Sequence, residues 1–410
     1  MRTQLLKLLS PIAAALALTA CLSGGSSGSS SPSSGCESFE NADRITDGGE
    51  AAGEAFSVEL LAGCLEHPWA LAFLPGGDEA LVTERPGRLQ RVSLSGDGVM
   101  TEIAGVPEVA AGGQGGLLDI ALHPDFANQP YVYLTYAVSN SEGELTTELG
   151  RGRLEPGSDE LTDFEVLFTA TPFTDVRDGH FGSRIVIDGN DRLFMTVGDR
   201  RDPDSAQDLN GHHGKVLRLN LDGSIPADNP FTDNDGETMA IWSYGHRNTQ
   251  GMAINPATTE IWIADHGPRA GDEVNILPVA PTTDSNYGWP EVSYGRTYGS
   301  DEPFAPDPSP GDGFIEPIYF WDEESFAPSG MSFYEGDAFP AWQDSVFIGS
   351  LVQENLTRLE LSGDTIIDEQ ALLEEEGWRV RDVREGPDGF LYLLVDEADA
   401  PLVRLTPAVE

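Results

Sequence analysis

The chain has 410 residues and a formal net charge of −46 at pH 7, with 69 acidic residues against 23 lysines and arginines. A surface this acidic repels nucleic acid and anionic lipid. This excludes the functions that depend on binding either of them through charge. Such surfaces suit high-salt water, where screening weakens self-repulsion, so we interpret the charge as a property of habitat. A cluster of arginines in such a chain therefore requires a functional explanation.

The first 35 residues are not expected to belong to the folded domain. Residues 1–20 combine a basic start, an apolar run and small residues, which predicts a secretory signal peptide. Cys21 follows in the sequence LTAC, which resembles a bacterial lipobox and makes Cys21 the expected lipidation site; an ordinary signal peptide with a chance cysteine is the alternative. Residues 21–35 form a Ser/Gly-rich tether. We expect an exported domain, 36–410, attached only through this lipid to the periplasmic or outer face of a bacterial membrane.

Two further cysteines follow the tether. Cys36 and Cys64 form the only other pair in the chain. In an exported protein such a pair predicts a disulfide, and two free thiols are the alternative. The disulfide would hold the segment before the first repeat against the domain.

The rest of the chain is built from one recurring unit. The unit is an apolar run, a turn containing Pro, Gly, Asp or Asn, and a second apolar run, which is typical of two antiparallel strands. Sustained helical periodicity is absent from the sequence. Six copies of the unit occur, at 69–84, 117–137, 183–199, 251–267, 330–351 and 381–397.

Additional β-rich segments extend the six units to four strands each. Segments such as 87–94 and 214–221 are predicted third strands, and the early segment 56–63 is predicted to close the ring as the fourth strand of the last sheet. The fold class is therefore all-β, a six-bladed β-propeller of four-stranded antiparallel blades. A stacked β-solenoid, the alternative, would need shorter and more regular repeats.

Unusual polar residues recur at equivalent positions of the repeat. The first strand of each propeller blade lines the channel, and the loop after the second strand lies at the same rim because the two strands are antiparallel. Residues at these two positions are therefore expected to form one concave site. At the start of the first strand stand Gln114, His180, Arg247, Asn248, Gln250, Ser329, Arg379 and Arg381, and after the second strand of the fourth copy stand His266, Gly267, Pro268 and Arg269.

The residue types at this rim indicate an anionic ligand and a general base. Arg379 and Arg381 are two residues apart and share a face of a strand, and Arg247 adds a third guanidinium. His180 lies between glycines, and an imidazole with an ordinary pKa near 6.5 suits proton transfer. His266 is ambiguous between a structural residue and a pocket wall, and the other histidines are interpreted as structural or exposed.

Several common site motifs are absent from the sequence. It contains no HExxH, zinc-type Cys/His set, P-loop or GxGxxG. The acidic run 233–237 lacks the spacing of a full calcium loop, so we interpret it as a turn.

The rim residues lie in strings that resemble the PQQ-dependent soluble aldose sugar dehydrogenase family, also called the glucose/sorbosone dehydrogenase family. The strings follow the family's order across roughly residues 55–405. They are HPWALAFLP, GQGGLLDIALHPDF, HFGSR, AQDLNGHHGKVLRLNLDGSIPADNPF, IWSYGHRNTQGM, HGPRAGDEVNI, NYGWP, SGMSFY and RDVREGPDGFLY.

The resemblance implies an enzyme that oxidises aldose sugars at C1 to lactones with pyrroloquinoline quinone (PQQ) and passes electrons to an unknown acceptor. It implies that His180 is the catalytic base and that Arg247 and Asn248 face the quinone oxygens. Gln114 matches a residue beside the cofactor and the base. Arg379 and Arg381 match the clamp on the cofactor carboxylates.

The resemblance also implies calcium. Gly267 and Pro268 match the pair whose backbone carbonyls hold the cofactor Ca²⁺, a hard cation that prefers oxygen ligands. Glu273 and Tyr287 match a region that holds a second, structural calcium.

The chain departs from the family pattern at one position. Family members carry a lysine after the FIG-type strand of the fifth blade, where this chain has Val352 in the sequence FIGSLVQEN. This change removes one cation from the anion site, and we expect it to lower cofactor affinity. Gln353 offers a hydrogen-bond donor without charge.

Two other functions stay open on the sequence. One is a non-catalytic, carbohydrate-binding surface propeller, which Val352 favours. The other is a calcium-dependent lactonase, which would place several carboxylates and amides around a metal at the channel, where this chain mostly has Arg, Gln and His.

Overall fold

The computed structural model of the protein describes residues 45–231 and 237–408, all within one compact unit, Gly35–Glu410. The predicted signal peptide, the tether, Cys21, Cys36 and most of the acidic run 233–237 lie outside the described residues. Cys64 is disulfide-bonded. Its pairing with Cys36 stays a prediction, as do the lipid anchor and the domain boundaries.

The described residues contain 25 strands and three short 3-10 helices. The helices are Pro203–Ala206, Glu237–Ala240 and Pro340–Trp342. The strands are β1 (Ile45–Ala51), β2 (Glu54–Leu65), β3 (Pro68–Phe73), β4 (Glu79–Glu84), β5 (Arg88–Ser93), β6 (Met100–Ile103), β7 (Leu117–Leu122), β8 (Tyr131–Ser139), β9 (Leu145–Arg153), β10 (Thr162–Thr169), β11 (Ile185–Ile187), β12 (Arg192–Val197), β13 (Lys215–Asn220), β14 (Ile241–Tyr244), β15 (Thr249–Ile254), β16 (Ile261–Asp265), β17 (Asp272–Ile276), β18 (Tyr319–Trp321), β19 (Pro328–Tyr334), β20 (Ser345–Ser350), β21 (Leu356–Ser362), β22 (Thr365–Leu372), β23 (Val380–Glu385), β24 (Leu391–Val395) and β25 (Ala400–Pro407).

These strands form six antiparallel sheets arranged as a six-bladed β-propeller, as the repeats predict. Blades 1 to 5 are β3–β6, β7–β10, β11–β14, β15–β18 and β19–β22, each numbered from the channel outward. Blade 6 has the order β23–β24–β25–β2–β1. The segment 56–63 therefore closes the ring as the fourth strand of the last sheet, within β2, as predicted.

Blade 6 differs from the prediction by its fifth strand, β1. This strand pairs antiparallel with the outer edge of β2, from Ile45 opposite Glu59 to Ala51 opposite Glu54. Its sequence, ITDGGEA, is too polar and glycine-rich to be recognised as a strand by propensity. It covers an edge that would otherwise be unpaired. The indole of Trp342 adds an anchor by donating a hydrogen bond to the Ala51 carbonyl at 3.0 Å.

The core lies between the blades, where apolar side chains of adjacent sheets interdigitate. The interface of blades 5 and 6 is an example, because Trp342 contacts Phe56 and Phe347 with ring centroids 5.5 and 5.2 Å apart. Trp342 is fully buried, and burial of each such side chain contributes roughly 1.5–3 kcal/mol. The blades are therefore held in place by packing along the whole ring.

The innermost strands β3, β7, β11, β15, β19 and β23 contact one another in turn and close the ring. Part-way along the channel, the buried guanidinium of Arg184 lies 3.4 Å from Asp119 and 2.9 Å from Asp382. Arg384 reaches the same carboxylates at 3.2 and 3.0 Å. This buried network ties blades 2, 3 and 6 together below the rim.

Candidate active site

His180 lies at the channel rim between β10 and β11. It has a φ of +56°, a left-handed backbone conformation that is uncommon outside glycine and often marks a functional position. Its backbone N–H donates to Oε1 of Gln114 at 2.8 Å, and its Nδ1 lies 2.6 Å from Oδ1 of Asp199. No other described residue forms a hydrogen bond with its Nε2 atom. The ring is therefore held through Nδ1, and Nε2 is left without a partner among the described residues.

The surroundings of His180 favour the neutral imidazole. Burial lowers the pKa of His180 below its usual value of 6.5, Asp199 opposes this shift, and the positive charge of Arg247 adds to it. With Nδ1–H donated to Asp199, Nε2 carries the lone pair of the neutral ring. This is the form that a general base requires.

Asp199 follows β12 and is fully buried. Its Oδ1 also accepts the backbone N–H of Arg201 at 2.8 Å, and its Oδ2 accepts the indole N–H of Trp289 at 2.9 Å. These bonds fix the carboxylate and leave it as the partner that orients His180. Asp199 is not among the site residues predicted from the sequence.

Arg247 and Asn248 stand at the start of β15, as predicted. Both backbone N–H groups donate to Asp265, at 2.9 and 2.6 Å. Although burial opposes ionisation of Asp265, His246 and these two donors lower the pKa of Asp265. The carboxylate thus fixes the turn from which both side chains extend into the rim.

The guanidinium of Arg247 has contacts on two sides. It lies 5.3 Å from the ring centre of Trp289, and its Nη2 is 3.3 Å from the hydroxyl of Tyr298. Nη1 donates a long hydrogen bond, 3.4 Å, to the His266 carbonyl. Tyr298 is 66% exposed, so the ring lies at the solvent side of this arginine.

His266 connects blades 4 and 5 and also lines a small cavity beside Arg247, so the structural and the pocket-wall interpretations both apply to it. Its Nε2 lies 2.6 Å from the Pro328 carbonyl, and its Nδ1 lies 3.3 Å from Nδ2 of Asn248. Burial, above all, lowers the pKa of His266 to about 3, so the ring stays neutral. It then donates to Pro328 and accepts from Asn248. Its role is to orient the Asn248 amide, whose Oδ1 accepts the N–H of Gly182 at 3.1 Å.

Arg379 and Arg381 converge, as predicted, but on a carboxylate of the protein. Arg381 is buried and donates to Oδ2 of Asp396 and, at 2.8 Å, to Oε1 of Gln250. Arg379 is half-exposed, lies 3.7 Å from the same Asp396 oxygen and donates to the carbonyl of Leu351. Burial alone would raise the pKa of Asp396, but Arg381 above all outweighs burial and holds the pKa well below its usual range.

Gly267 and Pro268, the predicted calcium-binding pair, follow β16 after His266. The backbone N–H of Gly267 donates to Oδ1 of Asp272 at 3.0 Å, and the other oxygen of Asp272 accepts from Phe326 and Ala327. Within the described ranges no hydrogen bond reaches the Gly267 or Pro268 carbonyl. The turn is thus fixed through its N–H side, and both carbonyl oxygens lack a hydrogen-bond donor among the described residues.

Glu273 and Tyr287, the second predicted pair, line one small cavity. Burial, and then the neighbouring Asp265, raise the pKa of Glu273 to about 8. The hydroxyl of Tyr287 is occupied, because it donates to the Ile276 carbonyl at 2.6 Å. In the part of the chain that the structure describes, no three His, Cys, Asp or Glu side chains form a metal-binding group. A structural calcium here stays a prediction.

Val352 lies at the rim after β20 and is 54% exposed. The preceding carbonyl, that of Leu351, accepts the hydrogen bond from Arg379. Gln353 is exposed, and its backbone N–H donates to Oγ of Ser350 at 2.9 Å. Its side chain makes no hydrogen bond to any described residue, and its compensation for the missing lysine stays a prediction.

Known proteins with similar sequences agree with the six-bladed fold. The sequence profile of the family described as Glucose / Sorbosone dehydrogenase matches residues 65–404. The chain belongs to this family. It is 42% identical to aldose sugar dehydrogenase YliI of Escherichia coli (strain K12) over 360 residues, which cover 87% of this chain and 94% of that protein.

Solved structures of glucose/sorbosone dehydrogenase relatives share the architecture. The soluble aldose sugar dehydrogenase of Escherichia coli in its apo-form has a TM-score of 0.81 at 42% identity and covers 86% of this chain and 100% of its own. The PQQ-bound aldose sugar dehydrogenase of Streptomyces coelicolor has a TM-score of 0.68 at 30% identity. The match covers 88% of this chain and 99% of that protein. This chain is accordingly a dehydrogenase, an oxidoreductase.

Proposed function

We propose that this glucose/sorbosone dehydrogenase oxidises aldose sugars at C1 to lactones, using PQQ and Ca²⁺, with His180 as the general base. The observation that carries the proposal is the His180–Asp199 pair, which leaves a neutral Nε2 at a rim that also carries Arg247. The PQQ-bound relative from Streptomyces coelicolor supports the choice of cofactor.

The residues at the rim fit PQQ, a quinone that carries three carboxylates. Arg379 and Arg381 supply guanidiniums in excess of the single carboxylate Asp396, and Nε of Arg381 is buried without a hydrogen-bond partner among the described residues. Such groups match carboxylates. The free carbonyls of Gly267 and Pro268 fit the oxygen preference of Ca²⁺.

When bound, PQQ supplies an electrophilic quinone that accepts a hydride from the sugar. In this proposal His180 Nε2 takes the proton of the anomeric hydroxyl, and Asp199 stabilises the imidazolium that results. Arg247 and the Asn248 amide place hydrogen-bond donors where negative charge develops. Gln114 and His266 hold the base and the amide in position.

The environment of this activity is part of the proposal. The Cys21 lipobox supports an exported, lipid-anchored enzyme, and the acidic composition supports activity in high salt. No described helix has the length and hydrophobicity needed to cross a bilayer. The electron acceptor is a partner whose chemistry the rim does not specify.

The test is reconstitution of the purified apo-protein with PQQ and Ca²⁺ in high salt, with dye reduction followed over a panel of aldoses. We expect turnover that depends on both additions, yields the C1 lactone and is lost in His180→Ala. Saturable sugar binding with no PQQ binding would contradict the proposal and favour a carbohydrate-binding propeller. Hydrolysis of lactones without dye reduction would favour a lactonase.

A further inference from the structure

Blade 1 provides none of the site residues predicted from the sequence, although its topology offers a place for one. The loop after the second strand carries Asp199 in blade 3, His266 in blade 4 and Asp396 in blade 6. In blade 1 the second strand, β4, ends at Glu84, and the next residue is Arg85. By position, Arg85 belongs to the same rim.

The contacts of Arg85 agree with this placement. Its Nη1 lies 3.7 Å from Oδ1 of Asp396, the carboxylate shared by Arg379 and Arg381. Its backbone carbonyl packs so closely on Gly116 that a Cβ added there would lie 1.9 Å from the oxygen. Since Gly116 is two residues from Gln114, Arg85 lies between the Gln114 segment and the arginine pair.

The charges in this cluster do not balance. Arg85, Arg379 and Arg381 surround the single carboxylate of Asp396, an excess of two positive charges. Burial and repulsion by the two other arginines lower the pKa of Arg85, while Asp396 raises it. A partly buried excess of cations in a chain of net charge −46 suits a ligand with several carboxylates.

We propose that Arg85 binds a carboxylate of the cofactor together with Arg379 and Arg381, and that it supplies the positive charge that is missing at Val352. The inference rests on the proposed function, because PQQ is the polycarboxylate assigned to this site. It adds Arg85 to the three arginines already assigned to the cofactor site, Arg247, Arg379 and Arg381. The guanidinium of Arg85 is 20% exposed, so a ligand at the rim can reach it.

The test measures PQQ affinity rather than turnover. Apo-protein is titrated with PQQ in calcium-containing buffer, and the dissociation constant is read from quenching of protein fluorescence. Arg85→Gln is expected to weaken binding roughly ten- to a hundredfold, the effect of losing a charge-assisted hydrogen bond. Arg192→Gln is the matched control, because Arg192 starts β12 at the opposite end of its blade and its guanidinium makes one hydrogen bond to a described residue, the Asn190 carbonyl. Its affinity should equal that of the wild type.

A second substitution tests the compensation directly. Val352→Lys restores a cation beside the Leu351 carbonyl and is expected to tighten PQQ binding and to recover part of the loss in Arg85→Gln. Folded Arg85→Gln protein that binds PQQ as the wild type does would overturn the inference. A wild type that binds no PQQ would instead overturn the proposed function, and this inference with it.

If Arg85→Gln does not fold, a measurement on the wild type tests whether Arg85 contacts PQQ. Arginines are labelled with a dicarbonyl reagent with and without PQQ, and the modified peptides are quantified by mass spectrometry. Bound PQQ is expected to protect Arg85 and Arg379 but not Arg192. Equal labelling of Arg85 in both samples, with Arg379 protected, would overturn the inference.

Discussion

The Nδ1 atom of His180 and the Oδ1 atom of Asp199 are 2.6 Å apart, and Asp199 is held from its other side by the Trp289 indole. This relationship fixes both the orientation of the imidazole and its tautomer. It predicts that Asp199→Asn lowers kcat roughly 10²–10⁴-fold, because the amide can hold the ring in the wrong tautomer. PQQ affinity should change little. Equal losses of PQQ affinity and kcat would show that Asp199 acts only by supporting the site.

The pH dependence of the reaction follows from the lowered pKa of His180. In the proposed reaction the neutral ring is the active form, so kcat/KM should be lost as the pH falls through the His180 pKa, which lies below 6.5. We expect the acid limb of the kcat/KM profile below pH 6.5. Asp199 raises this pKa, so Asp199→Asn should move the limb to still lower pH. An acid limb above pH 7 would contradict the assignment of His180 as the base.

Tyr298 is predicted to affect the sugar more than the cofactor. It is exposed, and its hydroxyl lies 3.3 Å from Nη2 of Arg247. Tyr298→Phe should raise the KM for aldoses about two- to tenfold, the effect of one hydrogen bond, and Tyr298→Ala should raise it further. Ile367→Ala, at another exposed apolar residue on β22, is the control and should leave KM unchanged. An unchanged KM in both Tyr298 variants would show that the ring does not face the substrate.

The buried ion network in the channel predicts a large effect on stability. Arg184→Met leaves Asp119 and Asp382 with Arg384 as their one charged partner among the described residues, and breaking a buried pair costs roughly 3–5 kcal/mol. Urea unfolding at constant salt should show this loss in the free energy of unfolding. Arg153→Met removes an exposed pair with Glu155 and should have little or no effect. Similar midpoints for the two variants would contradict the structural role of the network.

Much of the fold could be predicted because propeller blades repeat. The six hairpins and the closing strand β2 each carry an apolar run between turn residues, so local sequence specifies them. The edge strand β1 could not be predicted, since its polar, glycine-rich sequence becomes a strand only through pairing with β2. Repetition also gave the rim, because equivalent positions of a repeat lie at the same end of the channel.

The site could be predicted where unusual residues stand at the start of the first strand, as His180 and Arg247 do. The residues that hold these side chains in place could not be predicted. Asp199 and Asp396 are two acids among 69, and nothing in their local sequence distinguishes them from surface carboxylates. The signal that could have found them is their place after the second strand of a blade, the position that pointed to His266. Asp396 also reduces the positive charge of the predicted anion site, because Arg379 and Arg381 already share its carboxylate within the protein.

Hydride transfer from sugar C1 with His180 as the base is tested most directly by a single-turnover measurement on the PQQ-loaded enzyme with an aldose and with the same aldose deuterated at C1. We predict that cofactor reduction is slowed by the deuterium and that His180→Gln reduces the rate of this step while leaving PQQ bound. Cofactor reduction at the same rate in His180→Gln, or no reduction by any aldose in the loaded wild type, would contradict it.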